Sequence, residues 1–372
     1  MRKLPAQPTL ASMTSEGVQH LQAYLPPLLR ALEGLGLIAR YLDPIGYSHQ
    51  LARVGQPPDD LRAARALPDW PPPYSALRPL LDQCADEALA AFDGLYAAAE
   101  PPEDVTQAFR ALRHLPRAFE TLYPLAGIVP PISRFFLDPA MWGDTELHAR
   151  LLRQPPVPNT GIIRLGEDPD ARETVWMYVP ESYDPATPAP VAFVLHGGSG
   201  RGRNFIWSWV RAARSRGVIL VAPTAINQTW AIQGPDPDSP RLADILTLVR
   251  STWTIDERRI LLSGMSDGGT FAYTSGLFPG SPFTHLAPTA AAFHPMLVAM
   301  AEPERLKGLP LHITHGVRDW MFPVQMADDA ASHFTAAGAS VTYQRLDDLS
   351  HAYGSDLSSI ILDWLISHPA GQ

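Results

Sequence analysis

Two different spacings of apolar residues divide the chain. Up to about residue 154, apolar side chains recur every three or four positions, which is the spacing of a single helix face. Residues 101–104 (PPED) look like a helix start, and the apolar positions from Val105 to Leu122 continue that helix, which Pro116 should kink. The clearest stripe consists of Leu81, Cys84, Ala85, Ala88, Phe92 and Leu95. The pattern predicts an all-helical N-terminal region.

From residue 159 onward, short apolar runs alternate with helical segments. A run such as 191–195 (VAFVL) is typical of a strand that is buried on both faces. The predicted strands are 161–165, 173–179, 191–195, 218–221, 260–262, 309–314 and 341–346. The predicted helices are 205–216, 242–253, 271–277, 324–337 and 356–366. This alternation predicts an α/β domain with a mostly parallel sheet flanked by helices.

Residues 155–158 (PPVP) are the best candidate for a linker, because each proline ring fixes φ and removes a backbone donor. We therefore expect a helical region over residues 1–154 and an α/β domain over residues 159–372. The helical region contains no motif with an identifiable chemistry. Its sequence leaves open a role as a cap, as a packing unit or in dimerisation, and the oligomeric state stays open with it.

Composition excludes several classes of function. The 372 residues are 46% hydrophobic, and their net charge of −9 lacks the basic surface that a nucleic-acid-binding protein needs. Cys84 is the single cysteine, which excludes an internal disulfide and a cysteine-based metal cluster. No apolar run reaches about 18 residues, and no signal-like segment follows the first residues. We expect a soluble, cytoplasmic protein without a membrane span.

The strongest chemical signal is the segment 260–269 (ILLSGMSDGG), in which a buried strand runs into the motif G-x-S-x-G. In this motif the serine sits on a strained turn between a strand and a helix. The residues two positions away must lack side chains for the backbone to close up. Gly264 and Gly268 satisfy that demand, so Ser266 is the candidate nucleophile and the backbone N–H of Asp267 a candidate oxyanion donor.

A glycine-rich loop follows the strand at 191–195, within residues 194–200 (VLHGGSG). Such a loop can bring backbone N–H groups close to a substrate carbonyl, with Gly198 as the first choice of donor and Ser199 as the alternative. A nucleotide-binding loop or a plain turn is the competing interpretation, but neither G-x-G-x-x-G nor G-x-x-x-x-G-K-[ST] is present. We expect His196 to buttress the loop rather than to take part in chemistry.

A serine nucleophile needs a base that is held by an acid. Asp319 and His351 each follow a predicted strand, at the sheet edge where ligands of α/β proteins gather. Asp347 and Asp348 are alternative partners for His351. The remaining histidines considered are expected to be core or surface residues, since no pair has the spacing of a zinc site. They are His294, His312, His315 and His333.

Aromatic residues give a weaker indication of the substrate. Trp230 and Trp320 lie in loops on the same sheet edge and are candidates for an apolar pocket that accepts an acyl or aryl group. The competing interpretation for both is ordinary packing. The same question applies to Phe205, Trp207 and Trp209, for which packing against the sheet or a neighbouring helix is the expected role.

These motifs, taken in order, resemble those of the α/β-hydrolase superfamily. Residues 255–269 (IDERRILLSGMSDGG) are similar to the elbow region of polyhydroxybutyrate depolymerase-like and feruloyl-esterase-like enzymes, and of the phospholipase/carboxylesterase group. The resemblance covers about residues 161–366. It implies Ser266 as the nucleophile, Asp319 as the orienting acid and His351 as the general base, with Gly198 and Asp267 as oxyanion donors.

The expected activity is cofactor-free and metal-free hydrolysis of a small or polymeric carboxylic ester. A serine peptidase of the prolyl-oligopeptidase type and a thioesterase would use the same residues. A hydrolase fold that has lost its chemistry and acts as a binding module is the alternative from a different class.

Overall fold

The computed structural model describes residues 15–66, 70, 74–152 and 157–370. These residues group into two compact units, one within Met1–Arg153 and the other within Gln154–Gln372. The proline-rich segment that we expect to be the linker falls beside this division. Pro155 and Pro156 themselves lie outside the described residues, so the boundaries at 154 and 159 stay predictions.

The described part of the first unit is helical. Its α-helices are α1 (Ser15–Tyr41), α2 (Tyr47–Val54), α3 (Pro57–Arg65), α4 (Arg78–Ala99), α5 (Val105–Ala111), α6 (His114–Leu122), α7 (Pro130–Phe135) and α8 (Thr145–Leu151). Helix α4 packs against α1, α3, α5 and α6. All six residues of the stripe predicted on α4 are fully buried, which explains the spacing seen in the sequence.

The predicted single helix over residues 101–122 is wrong in two respects. Asp104 precedes the helix and caps it, accepting a hydrogen bond from the Gln107 N–H at 3.1 Å, so the preceding prolines lie outside α5. The chain then breaks at residues 112–113, between α5 and α6. Pro116 causes no kink, because it lies in the first turn of α6, where a backbone N–H has no partner within the helix.

The second unit contains one eight-stranded sheet. Its strands are β1 (Gly161–Leu165), β2 (Val175–Val179), β3 (Ala189–Leu195), β4 (Ile219–Ala222), β5 (Ile255–Met265), β6 (His285–Thr289), β7 (Pro310–Gly316) and β8 (Ser340–Leu346). The order across the sheet is β1-β2-β4-β3-β5-β6-β7-β8. Strand β2 is antiparallel to β1 and β4, and all other pairs are parallel. The structure confirms the predicted α/β class.

Strand β6 is central in the sheet, yet the hydrophobic pattern did not predict it. Its five residues are all buried, but His285 and Pro288 interrupt the apolar run. Proline lacks the N–H of a ladder hydrogen bond and usually argues against a central strand. The side chain of His285 is accommodated because its Nε2–H donates to the carbonyl of His368, beyond the last helix.

Helices cover both faces of the sheet. They are α9 (Gly202–Phe205), α10 (Val210–Arg216), α11 (Asp238–Thr252), α12 (Asp267–Leu277), α13 (Met296–Met300), α14 (Pro303–Leu306), α15 (Gln325–Ala336) and α16 (Ser355–Ser367). On one face, Val191 and Phe193 join a single apolar cluster with α11, α12 and α15. The alternate strand residues Ala192 and Val194 are equally buried, while α10 packs on α16 and both helices contact the sheet. Burial on both faces accounts for the continuous apolar runs in the sequence.

The parallel strands deliver the candidate residues to a single edge. Strands β3, β5, β7 and β8 run in the same direction, so the loops after them leave the sheet on the same side. Ser266 directly follows β5, Asp319 follows β7 and His351 follows β8. The edge at which these three strands end is the one that the sequence predicted for the site.

Among the described helices, none is long and apolar enough to cross a membrane.

Two buried histidines on β6 and β7 pack against the last helix. His285 on β6 and His312 on β7 both face Trp364 of α16, with each ring centre 5.3 Å from the indole. Burial lowers the pKa of both side chains to about 4, and hydrogen bonds to backbone offset only part of that effect. Both are therefore neutral in the folded protein at pH 7.

We expect acid to weaken this contact. A histidine titrates near pH 6.5 in an unfolded chain, so each contribution to stability is complete above that pH and is lost as the pH falls towards 4. The loss amounts to roughly 3 kcal/mol per histidine. His312→Leu should therefore make the free energy of unfolding less sensitive to pH between about 6.5 and 4, as measured by urea unfolding.

His333→Leu, at an exposed position of α15, is the control, and it shows how much of any change comes from removing a histidine at the surface. Equal sensitivity of the wild type and His312→Leu would contradict this explanation.

Candidate active site

Ser266 occupies a sharp turn between β5 and α12. Its backbone has φ 57° and ψ −121°, a conformation that residues with a side chain rarely adopt. Its N–H donates to the carbonyl of Thr289 at the end of β6, and its carbonyl accepts from the Thr270 N–H on the first turns of α12. The hydrogen bonds at both ends hold this strained conformation in place, which is the geometry of a nucleophile elbow.

The two glycines of the motif make the elbow possible. A Cβ on Gly264 would lie 2.4 Å from backbone atoms of Gly268. A Cβ on Gly268 would lie 2.5 Å from the carbonyl oxygens of Leu195 and His196, at the end of β3. Real Cβ atoms do not approach backbone this closely, so the sequence prediction that both positions need glycine is confirmed.

Ser266, His351 and Asp319 form a hydrogen-bonded series. His351 Nδ1 lies 2.8 Å from Asp319 Oδ2, and His351 Nε2 lies 3.0 Å from Ser266 Oγ. Because an ionised carboxylate only accepts, Nδ1 carries the proton and Nε2 of the neutral ring is free to accept from the serine hydroxyl. All three side chains are less than 10% exposed. The structure thus brings together the three residues selected from the sequence.

Asp319 is held by four N–H groups. Its Oδ1 accepts from the backbone N–H groups of Met321 at 2.9 Å and Phe322 at 2.8 Å. Its Oδ2 faces His351 and, at 3.3 Å, Nε2 of His315. Burial alone would raise the pKa of this carboxyl, but the hydrogen bonds from the two histidines and Phe322 outweigh it and hold the pKa well below its usual value.

The alternative acids do not hold the base in this structure. The single proton on His351 Nδ1 is directed to Asp319, so Asp347 and Asp348 do not occupy this position. The ring of His351 also meets the edges of two aromatic residues, Phe322 at 5.4 Å and Trp320 at 6.1 Å between ring centres. Trp320 is 49% exposed beside the imidazole, and its predicted contact with the substrate stays a prediction.

The glycine-rich loop lies against the elbow. The Gly200 N–H donates to the Gly197 carbonyl at 3.0 Å, which makes a tight turn with Ser199 at φ 56°. A Cβ on Gly197 would lie 3.4 Å from Ser266 Cβ, and one on Gly198 would lie 2.8 Å from Asp267 Oδ2. The loop backbone therefore approaches the nucleophile closely. The assignment of Gly198 and the Asp267 N–H as oxyanion donors stays a prediction.

His196 supports this loop from below. Its Nε2 accepts from the Ala225 N–H at 3.1 Å, so the ring proton is on Nδ1 and is donated to the Gly197 carbonyl at 2.7 Å. Burial lowers the pKa of His196 to about 4 and keeps the ring neutral. The expectation that it buttresses the loop fits these contacts.

Trp230 also contributes to holding the loop. Its indole N–H donates to the His196 carbonyl at 2.7 Å, and its ring stacks on Phe271 with 5.4 Å between centres. The residue is buried, and it belongs to the main apolar cluster. These contacts favour packing over the pocket role suggested from the sequence.

Asp267 combines two positions at the site. It is the first residue of α12, where a carboxylate interacts favourably with the helix dipole, as expected from the sequence. Its Oδ2 also accepts a hydrogen bond from Thr229 Oγ1 at 2.5 Å. The carboxylate thereby connects the elbow to the loop after β4, a contact that the sequence did not reveal because Thr229 is 38 residues away.

His315 is the functional candidate that sequence reasoning missed. It was grouped with the core and surface histidines, yet its ring contacts the carboxylate of Asp319. The available signal was its place at the end of β7, four residues before the acid, in the segment 315–319 (HGVRD). No group of three or more His, Cys, Asp or Glu side chains among the described residues could hold a metal ion.

Three observations together identify the architecture. They are the strand order with an antiparallel β2, the elbow after β5, and the chain order Ser266, Asp319, His351. This is the α/β-hydrolase fold. A serine, a histidine and an aspartate hydrogen-bonded in this order can activate the serine hydroxyl for attack on a carbonyl carbon.

No protein-family model matches the chain. Among curated proteins, the chain is similar to the bifunctional acetylxylan esterase/xylanase XynS20E of Neocallimastix patriciarum, with 26% identity over 163 residues. The match takes in 42% of this chain and 23% of that protein, so the chain spans about a quarter of the length of this relative.

Several solved structures resemble about half of the chain. A thermostable esterase has 20% sequence identity and a TM-score of 0.46, over 56% of this chain and 63% of its own. FphF, a fluorophosphonate-binding serine hydrolase of Staphylococcus aureus, has 16% identity and a TM-score of 0.46, over 55% and 98%. Est1E of Butyrivibrio proteoclasticus has 12% identity and a TM-score of 0.42, over 56% and 100%.

Proposed function

We propose that the chain is a serine hydrolase that cleaves carboxylic esters through an acyl-serine intermediate. The observation that carries the proposal is the hydrogen-bonded series from Ser266 Oγ through His351 to Asp319, at 3.0 and 2.8 Å. A serine hydroxyl is a weak nucleophile at neutral pH and becomes useful only beside a base that is oriented by a third group. All three parts are present in hydrogen-bonding order.

In the first half-reaction, Ser266 Oγ attacks the ester carbonyl carbon while its proton passes to His351 Nε2. The ionised carboxylate of Asp319 stabilises the imidazolium that forms. The imidazolium then gives the proton to the alcohol oxygen as the carbon–oxygen bond of the ester breaks. The alcohol leaves, and the acyl group stays on Ser266.

In the second half-reaction, water replaces the alcohol. His351 takes a proton from the water as its oxygen attacks the acyl carbon, and it returns that proton to Ser266 Oγ when the acyl bond breaks. The products are a carboxylic acid and the original enzyme. No cofactor is needed for either step.

The tetrahedral intermediates carry a negative oxygen that needs donors. We propose the backbone N–H groups of Gly198 and Asp267 for this role, since the loop 197–200 packs directly against the elbow. One such donor is worth roughly 3 kcal/mol of transition-state stabilisation. Asp267 also stands at the positive end of the α12 dipole, which favours negative charge at this place.

The choice of carboxylic esters rests on the curated relative together with this geometry. The name of that protein joins acetylxylan esterase to xylanase, and its similarity to this chain makes acetyl esters the first substrates to test. Trp320, which is exposed beside the His351 ring, is proposed to contact the acyl or aryl group. Thioesterase and peptidase activity, the two competing enzyme assignments, are measured in the same substrate panel.

A panel of chromogenic substrates tests the proposal. We expect saturable hydrolysis of p-nitrophenyl acetate and butyrate and slower hydrolysis of an acyl thioester. We expect little cleavage of a peptide p-nitroanilide, because the described residues of the first unit form helices rather than the β-propeller of a prolyl oligopeptidase. Faster cleavage of the thioester or of the anilide would move the assignment to a thioesterase or a peptidase. A folded protein that cleaves none of them would favour the binding-module alternative.

A further inference from the structure

A second buried histidine contacts the carboxylate that holds the catalytic base. His315 is the penultimate residue of β7, and its side chain is 1% exposed. Its Nε2 lies 2.9 Å from the carbonyl oxygen of Phe322 and 3.3 Å from Asp319 Oδ2. The reaction as described above makes no use of this residue.

The two contacts fix the protonation of this ring nitrogen. A carbonyl oxygen can only accept a hydrogen bond, so His315 Nε2 must carry the proton that it directs to Phe322. Asp319 Oδ2 lies 3.3 Å from the same nitrogen, so the N–H that is donated to Phe322 also interacts electrostatically with the carboxylate. His315 therefore acts as a donor towards the acid and cannot remove a proton through this nitrogen.

The donation to Phe322 closes a small ring of contacts around Asp319. The Phe322 N–H donates to Asp319 Oδ1 at 2.8 Å, while its carbonyl accepts from His315. The backbone of Phe322 is thereby hydrogen-bonded through its N–H to the acid and through its carbonyl to a side chain of β7. The Phe322 ring, in turn, packs edge-on against the His351 ring.

The carboxylate is consequently held at both oxygens. Backbone N–H groups of the loop bind Oδ1, and His315 approaches Oδ2 from the rigid end of a parallel strand. The remaining interaction of the carboxylate is the hydrogen bond that Oδ2 accepts from His351 Nδ1. A carboxylate held in this way cannot rotate away from the base without breaking contacts on the other side.

We propose that His315 is a positioning residue that acts on the reaction through Asp319, by fixing the rotation of the carboxylate and the course of the loop 319–322. The inference rests on the proposed function, because it assigns His315 a role in the same reaction. A histidine that served only to fill the core would affect stability but not the turnover of the folded enzyme.

The kinetic test is a double-mutant cycle on p-nitrophenyl acetate. His315→Phe keeps a ring of similar size but removes the N–H, and it should lower kcat by roughly ten- to a hundred-fold, the effect of one hydrogen bond to a charged group. KM should stay within about two-fold, since His315 does not face the substrate. In the Asp319→Asn background the same change should lower kcat by less than about two-fold, because the residue through which His315 acts has already been altered.

Two further variants separate positioning from folding. His315→Gln keeps a donor N–H near the position of Nε2 and should restore most of kcat. If His315→Phe does not fold, His315→Leu, which also lacks the N–H, takes its place. His312→Phe removes a histidine that is equally buried on the same strand but contacts Trp364, and it should lower stability while leaving kcat unchanged.

Three results would overturn the inference. They are an unchanged kcat in folded His315→Phe, an equal fall of kcat in the Asp319→Asn background, and a kcat in His315→Gln as low as in His315→Phe. Absence of ester hydrolysis by the wild type is a different result, since it would remove the proposed function itself.

Discussion

Ser266→Ala is expected to lower kcat for ester hydrolysis by about a million-fold, the size of effect that such a residue has when a triad acts as a unit. Alanine cannot form the acyl intermediate, although His351 and Asp319 keep their hydrogen bond. The backbone contacts of the elbow do not involve the hydroxyl, so the free energy of unfolding should change by less than about 1 kcal/mol. Loss of turnover without loss of stability separates a chemical role from a structural one.

Ser263→Ala is the matched control for this substitution. Ser263 is a fully buried serine on the same strand, and its hydroxyl donates to the Ala287 carbonyl at 2.7 Å. Its removal should cost about 1 kcal/mol of stability and leave kcat within a few-fold of the wild type. A Ser266→Ala protein that retains more than about 1% of kcat would mean that the nucleophile lies elsewhere.

Gly268→Ala is expected to destabilise the α/β unit strongly. The added Cβ would meet the carbonyl oxygens of Leu195 and His196 at 2.5 Å, and both belong to backbone at the end of a central strand. Neither can move aside as the end of a flexible side chain would, so α12 must shift away from β3. We expect a loss of more than about 3 kcal/mol in the free energy of unfolding.

The shift should reduce activity as well, because Ser266 and the Asp267 N–H are carried by the first turn of the same helix. A displacement near 1 Å is enough to lower kcat/KM by about a hundred-fold. Urea unfolding and steady-state kinetics measure the two effects on the same sample. Gly36→Ala is the control, since Gly36 lies within α1 with open space around its Cα and the change should be neutral or stabilising by up to about 1 kcal/mol. Wild-type stability of Gly268→Ala would show that the helix and the strand are not in close contact.

The parts of the site that follow from local sequence were predictable. A short apolar run before G-x-S-x-G predicts a strand, a turn and a helix. The two glycines of the motif predict that backbone segments approach each other closely at that turn. Asp319 and His351 could be chosen because parallel strands bring their ends to one edge, whatever the separation in sequence. The residues chosen by this rule are within hydrogen-bonding distance in the structure, with His351 Nδ1 2.8 Å from Asp319 Oδ2 and His351 Nε2 3.0 Å from Ser266 Oγ.

What escaped prediction depends on contacts between distant segments. Strand β6 was missed because His285 and Pro288 read as interruptions, whereas the fold places one against α16 and tolerates the other within a buried strand. The break before α6 was misplaced because Pro116 breaks a helix only in its interior, and its actual position depends on where the helix begins.

The role suggested for His315 could not be found by pattern either. A histidine at the end of a buried strand is equally compatible with packing, as the neighbouring His312 shows. Only the path of the loop 319–322, which turns back over β7, brings the Phe322 carbonyl and Asp319 Oδ2 to the same nitrogen. Loop paths of this kind are determined by tertiary structure and leave little trace in hydrophobic spacing.

The central claim is that Ser266 is a nucleophile activated by His351, and covalent trapping tests it most directly. The full-length protein is treated with a fluorophosphonate probe, digested, and mapped by mass spectrometry, with Ser266→Ala and His351→Ala treated in parallel. We predict a single adduct on Ser266, no adduct in Ser266→Ala, and strongly slowed labelling in His351→Ala. Labelling of another residue, or a folded wild-type protein that does not react, would contradict the claim.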